Sequence, residues 1–260
     1  MQASNPLESA PPTLRSGRVS VSIVSHGQRD MVSWLLADLQ RVCSGDIEVI
    51  VTLNIPEADP VVTGSGSHPI RIIRNPIPKG FGANHNAAVV EASGEFYCVL
   101  NPDVRLIDDP FPALVAHLRD ATSRVGVIAP RVIDSAGHEQ DTLRRFPTIG
   151  SLVRKALTRE LRADYAVGAG SLQRPDWVAG MFMLFRTDFY RRFGGFDERY
   201  FLYYEDVDLC LRLQRSGHAV LHSPEATIIH DSQRASWKKP RYALMHATSI
   251  LRYLLRRHFV

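Results

Sequence analysis

Short apolar runs alternate with stretches of helical periodicity along the first half of the chain. Runs rich in β-branched residues predict buried strands, and apolar residues three and four positions apart predict amphipathic helices between them. This alternation predicts an α/β fold with a parallel, Rossmann-like sheet, whose ligands lie beyond the carboxyl ends of the strands. The predicted strands are 19–24, 47–51, 70–73, 96–100 and 125–129, and the predicted helices are 31–42, 81–92 and 114–118.

The second half of the chain is less regular. Residues 134–176 are polar and rich in arginine, and they predict either a flexible insertion or one that faces a second substrate. We expect one α/β domain over 19–232, preceded by a disordered leader at 1–18 and followed by a basic amphipathic helix within 233–260. The remaining predicted strands are 177–185, 219–221 and 227–229, and the remaining helices are 187–193, 209–216 and 242–257.

Composition places the chain among ordinary globular proteins. Of its 260 residues, 45% are hydrophobic and 22% are charged, which is typical of soluble domains. No apolar run approaches the roughly 20 residues that span a bilayer, and the amino-terminal residues do not have the hydrophobic core of a secretory signal. Cys43, Cys98 and Cys210 are scattered among apolar segments, which predicts buried thiols in the reducing cytoplasm rather than disulfides.

Positive charge is concentrated at the carboxyl terminus. Residues 234–260 contain seven Lys or Arg and no acid, so the formal charge of +4 for the whole chain leaves the remainder at about −3. The last predicted helix either lies on an anionic membrane surface or packs its apolar stripe against the domain. A nucleic acid is not an expected partner, because the chain has no recognition motif or aromatic stacking platform. The stripe consists of Leu244, Ala247, Leu251, Leu254 and Leu255, and Arg252, Arg256 and Arg257 flank it.

Two polar residues stand at the ends of predicted strands. Asp103 follows strand 96–100 within the sequence Asn-Pro-Asp, where a carboxylate either holds a divalent cation against a diphosphate or forms a simple turn. His230 ends another strand and is either a metal or phosphate contact or a hydrogen-bonded structural residue.

Lys79 and Gly80 precede the helix that carries Asn86. Glycine before a helix start lets a phosphate or a sugar approach the backbone closely. The spacing is not that of a P-loop, because no Gly-Lys-Ser/Thr follows four variable residues. This segment alone is a weak signal.

The segment 194–209 places acids among aromatic residues. Acids at a helix start ordinarily satisfy free backbone N–H groups and the helix dipole. Acids held between aromatic rings are less ordinary, because burial raises the pKa of a carboxyl group toward that of a useful base. The acids are Asp197, Glu205, Asp206 and Asp208, and Tyr203 and Tyr204 directly precede the Glu-Asp pair.

These segments together resemble one known family. The order NPD, WVAG, GGFDERYFLYYEDVDLCLR and PEATIIH, with KGFGANHNAA before them, resembles the family 2 glycosyltransferases, and most of all their bacterial rhamnosyltransferase-like branch. The resemblance covers residues 19–230. It implies a GT-A fold and inverting transfer of a sugar, with rhamnose as one candidate, from a nucleotide-diphosphate donor. The implied acceptor is a hydroxyl of a glycan or of a polyprenyl-diphosphate-linked saccharide in cell-surface polysaccharide synthesis.

The resemblance also implies roles for individual residues. Asp206 matches the catalytic base, and Glu205, Trp177 and Gly180 match acceptor-binding positions. Asp103 and His230 match positions that hold a divalent cation, Mg²⁺ or Mn²⁺, against the diphosphate. The donor-binding positions implied are Ser25, Asn54, Lys79, Gly80, Asn86, Asn101 and Asp103. A cytoplasmic location, with peripheral contact at the inner face of the plasma membrane through 240–260, fits these substrates.

Two positions depart from the family pattern. The first strand ends in Ser25-His26-Gly27 where Thr/Ser-Tyr-Asn is usual, and Leu53 stands where an aspartate usually precedes Asn54. The missing aspartate removes an expected hydrogen-bond acceptor for the pyrimidine N–H. These departures leave open an alternative function, a catalytically impaired protein that binds nucleotide sugars or acts as a scaffold.

Overall fold

A computed structural model describes residues 12–62, 68–120, 124–158, 164–165, 171–231 and 240–259. The strands are β1 (Arg15–Ser25), β2 (Ile47–Leu53), β3 (Ile70–Arg74), β4 (Gly94–Leu100), β5 (Val104–Leu106), β6 (Val125–Ile133), β7 (Leu143–Arg144), β8 (Trp177–Val178), β9 (Phe182–Arg186) and β10 (Ala219–His230). The helices are α1 (Arg29–Val42), α2 (Phe81–Glu91), α3 (Phe111–Arg119), α4 (Ile149–Thr158), α5 (Thr187–Phe193), α6 (Glu205–Arg215) and α7 (Pro240–Phe259).

Eight strands form one sheet in the order β3-β2-β1-β4-β9-β6-β10-β5. The pairs within it are parallel, except that β9 runs antiparallel to β4 and β6 and β5 runs antiparallel to β10. The remaining two strands, β7 and β8, pair with each other. The mostly parallel sheet confirms the predicted α/β, Rossmann-like fold.

Helices cover both faces of the large sheet. Successive residues of a strand point to opposite faces, so one strand contributes to the apolar clusters on both sides. In β4, Cys98 belongs to the apolar cluster that contains Leu35 of α1 and Leu114 of α3. Its neighbour Tyr97 belongs to the cluster on the other face, together with Leu209 of α6. The three cysteines are buried and free, as predicted.

Several element boundaries differ from the sequence prediction. β1 begins at Arg15, which pairs with Gly94, so residues 15–18 belong to the sheet rather than to a leader. The predicted strand 177–185 is two strands, because the chain turns between them and β8 pairs with β7. The two short strands predicted after residue 218 form one strand, β10, whose pairing with β6 shifts register between Ser223 and Thr227. The irregular insertion contains β7 and α4.

The carboxyl-terminal helix α7 packs on the domain through its more polar side. Tyr253 is fully buried, and Leu254 packs beside it. Leu244, Leu251 and Leu255 face outward and are 67%, 59% and 52% exposed, so the alternative in which the apolar stripe packs on the domain is wrong for these three residues. No helix in the described part of the chain is long and apolar enough to cross a membrane.

Candidate active site

Two residues that are far apart in the chain meet near the end of β4. β5 begins directly after Asp103 and pairs with the end of β10, where Val104 lies opposite His230. This pairing brings His230 Nε2 to 3.3 Å from Asp103 Oδ2. Asp103 Oδ1 and His230 Nδ1 are buried without a hydrogen-bond partner among the described residues. Such atoms are rare in folded proteins, so both are available to a ligand.

The Asp103–His230 pair fits a divalent cation held against a diphosphate. Mg²⁺ commonly uses one or two carboxylates together with phosphate oxygens. The described residues include no group of three or more His, Cys, Asp or Glu side chains that could hold a metal ion. A cation at this pair would therefore need oxygens from a bound diphosphate to complete its ligand set.

The turn between β8 and β9 joins this pair to the second candidate group. The backbone N–H of Asn101 donates to the carbonyl of Met181 over 2.9 Å. One residue earlier in the turn, the N–H of Gly180 donates to Asp206 Oδ2 over 3.0 Å, and Asp206 Oδ1 accepts from the N–H of Val207 over 2.8 Å. A Cβ atom at position 180 would lie 3.4 Å from the Cβ of Asp206, an ordinary van der Waals contact, so the backbone hydrogen bond rather than a lack of space marks this position.

Glu205 and Asp206 are adjacent at the start of α6 but lie in different surroundings. Glu205 is only 6% exposed, and burial, followed by the charge of Asp206, raises the pKa of Glu205 well above its ordinary value. Burial also raises the pKa of Asp206, whereas the N–H groups of Val207 and Gly180 and the charge of Arg144 lower it. Backbone N–H donors favour the ionised form of a carboxyl group. The backbone donors therefore favour ionisation of Asp206, whereas burial disfavours ionisation of Glu205.

β7 and β8 line one side of the Asp206 site. Trp177 is half-buried, and its indole Nε1 donates to the carbonyl of Arg145 over 3.0 Å. The guanidinium carbon of Arg144 lies 5.9 Å from the centre of a Trp177 ring, and Arg144 forms an ion pair with Asp141 at 2.9 Å. Arg144 was not among the predicted site residues, because only the arginine-rich composition of 134–176 indicated it.

Three of the predicted donor-binding residues lie at the carboxyl edge of the sheet. Asn54 Nδ2 donates to the carbonyl of Lys79 over 2.9 Å, and Asn54 Oδ1 accepts from the N–H of Lys79 and from Asn75 Nδ2. Ser25 is buried at the end of β1, where its Oγ accepts from the N–H of Gln28. The side chain of Lys79 is exposed. Their direct contact with a donor stays a prediction.

Gly80 and Asn86 contact the segment that leads to the Glu-Asp pair. A Cβ atom at Gly80 would lie 2.8 Å from the carbonyl oxygen of Phe201, so this glycine makes room for protein backbone rather than for a phosphate. Asn86 donates to the carbonyl of Phe196 and accepts from its N–H and from the hydroxyl of Tyr190. These contacts occupy both polar atoms of Asn86 and do not support its predicted contact with the donor.

The unusual ends of β1 and β2 bring a further carboxylate to this edge. Gly27 has a φ of 81°, in the left-handed region, and its N–H donates to Glu57 Oε1 over 3.1 Å. Glu57 Oε2 is buried and has no hydrogen-bond partner among the described residues. Leu53 is buried in the core. Glu57 was not among the predicted site residues, because it lies in a loop without a motif.

α6 begins at Glu205, four residues before the predicted start. The two residues before it, Tyr203 and Tyr204, have φ angles of 71° and 68°, a region that bulky residues rarely occupy. The first helical hydrogen bond follows at once, from the N–H of Asp208 to the carbonyl of Tyr204 over 2.9 Å. The abrupt start places the Glu-Asp pair in the first turn of the helix.

The other two acids of this segment form structural ion pairs. A side-chain hydrogen bond from Arg199 is the main reason that the pKa of Asp197 falls to about 2. Asp208 is fully buried and pairs with Arg212 at 2.8 Å and with Arg256 of α7 at 3.4 Å. The candidate chemistry therefore rests on Glu205 and Asp206.

Comparison with known proteins assigns the chain to a family. A family model described as "Glycosyltransferase like family 2" matches residues 14–241. The chain belongs to this family of glycosyltransferases. Rhamnosyltransferase WbbL of Escherichia coli K12 is 27% identical to this glycosyltransferase over 202 residues, which cover 70% of the chain and 72% of the relative. The N-acetylglucosaminyl-diphospho-decaprenol L-rhamnosyltransferase of Mycobacterium tuberculosis is 30% identical over 179 residues, which cover 63% of the chain and 56% of the relative.

Solved structures of other glycosyltransferases share the fold. The mannosyltransferase PcManGT of Pyrobaculum calidifontis, solved with GDP-Man and Mn²⁺, matches with a TM-score of 0.55 and 16% identity over 88% of this chain and 61% of its own. GalNAc-T7, solved with UDP, GalNAc and Mn²⁺, matches with a TM-score of 0.57 and 14% identity over 86% of this chain and 44% of its own. The GT-A fold that the sequence implied is thereby confirmed.

Proposed function

We propose that this glycosyltransferase moves a sugar from a nucleotide-diphosphate donor to a hydroxyl of a lipid-linked glycan, with inversion at the anomeric carbon, in cell-surface polysaccharide synthesis. Rhamnose is the first candidate sugar, because two relatives are named rhamnosyltransferases. A polyprenyl-diphosphate-linked saccharide is the first candidate acceptor, because one of those names includes a diphospho-decaprenol. The observation that carries the proposal is the turn between β8 and β9, which contacts Asn101 on the diphosphate side and Asp206 on the acceptor side.

Asp206 has the properties of the base that the reaction needs. A single displacement with inversion requires one base to take the proton of the attacking hydroxyl, whereas glycoside hydrolysis uses a pair of carboxyl groups across the bond. Burial raises the pKa of Asp206, which makes its ionised form a stronger base. Glu205 holds its proton, so it adds no second negative charge and can donate a hydrogen bond to the acceptor.

Asp103 and His230 would hold the cation that stabilises the leaving diphosphate. Negative charge grows on the diphosphate as the bond to the sugar breaks, and a Mg²⁺ or Mn²⁺ ion held there would neutralise it. Lys79 places an exposed ammonium group on the same edge of the sheet, where it can attract the diphosphate. Both solved relatives compared above contain Mn²⁺.

Glu57 takes the place of the missing aspartate in this proposal. Its Oε2 is buried without a hydrogen-bond partner among the described residues, and its Oε1 is fixed by Gly27. A carboxylate oxygen with free lone pairs can accept the N–H of a pyrimidine base. This arrangement favours binding of a nucleotide donor at this edge of the sheet.

Replacing Asp206 tests the assigned base. General base catalysis contributes about 10²–10⁴-fold, so Asp206→Asn should lower kcat by that order while the circular dichroism spectrum stays unchanged. Asp188→Asn, a partly exposed acid of α5, is the matched control and should keep full activity. Unchanged turnover in Asp206→Asn would show that another group accepts the proton.

A panel of nucleotide sugars tests the donor site. Release of nucleoside diphosphate from one donor, in the presence of Mg²⁺ or Mn²⁺ and a lipid-linked acceptor, is expected of an active transferase, whereas binding without release fits the impaired alternative. Glu57→Gln removes a charged hydrogen-bond acceptor, so we expect its KM for that donor to rise about tenfold, which corresponds to about 1.4 kcal/mol. An unchanged KM in Glu57→Gln relative to the wild type would show that Glu57 does not contact the nucleobase.

We also propose peripheral membrane contact at the cytoplasmic face, through the outer side of α7. Its three exposed leucines form one stripe, and the helix contains no acid, which is typical of helices that lie on anionic membranes. α4 adds a second exposed stripe of Ile149, Val153 and Leu157. Arg257 of α7 donates to the carbonyl of Pro147, two residues before the start of α4, over 2.5 Å.

A further inference from the structure

The inner side of α7 contacts several residues of the segment that runs from Asp197 to the Glu205-Asp206 pair. Arg256 pairs with Asp197 at the start of this segment. Arg252 donates to the carbonyl of Arg199, and Ser249 Oγ donates to the carbonyl of Leu202 over 3.0 Å. In each of these three contacts, the two residues are more than 45 positions apart in sequence. α7 thus contacts this segment at several points along its length.

The contacts of α7 nearest to Glu205 and Asp206 are between aromatic rings. The His246 ring lies 5.2 Å from that of Tyr203 and 5.5 Å from that of Tyr204, measured between ring centres, and meets both edge-on. The centre of the Tyr253 ring lies 5.5 Å from the centre of the Tyr204 ring. Two side chains of α7 therefore contact the ring of Tyr204, directly before the two acids.

The residues held in this way are the two with strained backbones. A left-handed conformation is unfavourable for a bulky L-residue, and it persists only where the surrounding contacts enforce it. Tyr203 and Tyr204 are the only non-glycine residues with positive φ among those the structure describes. Because Tyr204 caps α6, its conformation fixes the direction in which the first turn of that helix presents Asp206.

We propose that His246 is a positioning residue for catalysis: its ring holds Tyr203 and Tyr204 in the left-handed conformation that aims Glu205 and Asp206 into the site. The proposal rests on the proposed role of Asp206 as the base. His246 does not touch the reacting atoms in this mechanism. It acts through the backbone of the two tyrosines.

Hydrogen–deuterium exchange on the full chain tests the positioning itself. In His246→Ala, amides of the first turn of α6 should exchange at least about tenfold faster than in the wild type, because local opening becomes easier. His246→Phe keeps an aromatic ring and should restore slow exchange. His218→Ala is the matched control, since His218 packs on Phe189 and Phe193 beyond the other end of α6. It should leave exchange in the first turn unchanged.

Kinetics test the consequence for catalysis. Small displacements of a reacting group cost up to about 10²-fold in rate, so kcat of His246→Ala should fall about tenfold while KM for the donor stays unchanged, and His246→Phe should recover most of the loss. Wild-type exchange in the first turn of His246→Ala, or wild-type kcat, would overturn the proposal. A normal kcat in Asp206→Asn would instead show that Asp206 is not the base. The hydrogen–deuterium exchange result would still decide whether His246 positions the first turn of α6.

Discussion

At the scale of single residues, the site depends on two adjacent carboxyl groups in different surroundings. Glu205 is buried with one oxygen unpartnered among the described residues, and burial raises its pKa. Asp206 is half-buried and accepts two backbone hydrogen bonds, which favour its ionised form. The sequence placed both acids at a helix start, but it could not distinguish them, because the donors to Asp206 come partly from Gly180, twenty-six positions earlier.

The raised pKa of Asp206 predicts a pH dependence of turnover. The base must be ionised, so kcat should fall as pH decreases through that pKa. Because burial raises it, the fall should occur above the ordinary aspartate value of about 3.9. Measuring kcat at saturating substrates from about pH 4 to about pH 9 gives the apparent pKa of the complex. In Glu205→Gln, kcat should still fall at the same pH. If the fall disappeared in that variant, Glu205 rather than Asp206 would be the titrating group.

At the scale of elements, periodicity predicted most strands and helices but not how α7 lies. The apolar stripe of α7 was visible in the sequence, and two orientations were open. The structure turns Leu251 outward and Arg256 inward. The partners of Arg256 are Asp197 and Asp208, about fifty residues earlier, and no local pattern reveals such distant ion pairs. Similarly, strand length alone could not show that β8 leaves the main sheet to pair with β7.

The outward stripe predicts a measurable affinity for anionic lipid. Leu251→Ser combined with Leu255→Ser should lower binding by at least about tenfold, because burial of one leucine side chain contributes about 1.5–3 kcal/mol. Flotation with vesicles of phosphatidylcholine and phosphatidylglycerol measures the bound fraction, and phosphatidylcholine alone should bind less. Trp34→Ser, which alters an exposed residue of α1, should float like the wild type. Equal flotation of the double variant would exclude the outer side of α7 as the contact.

At the scale of the whole molecule, residues from distant parts of the chain complete the site. The resemblance to family 2 glycosyltransferases named Asp103, His230 and Asp206 from short motifs, and the sheet explains why those motifs belong together. Pairing of β5 with β10 joins the first two residues, and the turn before β9 reaches Asp206. Glu57, Arg144 and His246 were outside any prediction, because each is placed by contacts that only the folded chain provides.

The position of β9 has a consequence for the order of folding. This strand lies between β4 and β6, and among the described strands it alone connects the half of the sheet that holds β1–β4 with the half that holds β6 and β10. A growing chain that ends before β9 therefore contains β1–β4 as one part of the sheet, whereas β6 pairs in the large sheet only with the later strands β9 and β10. The turn that contacts Asn101 and Asp206 lies at the amino-terminal end of β9, so these two residues are joined only after β9 and α6 have both been added.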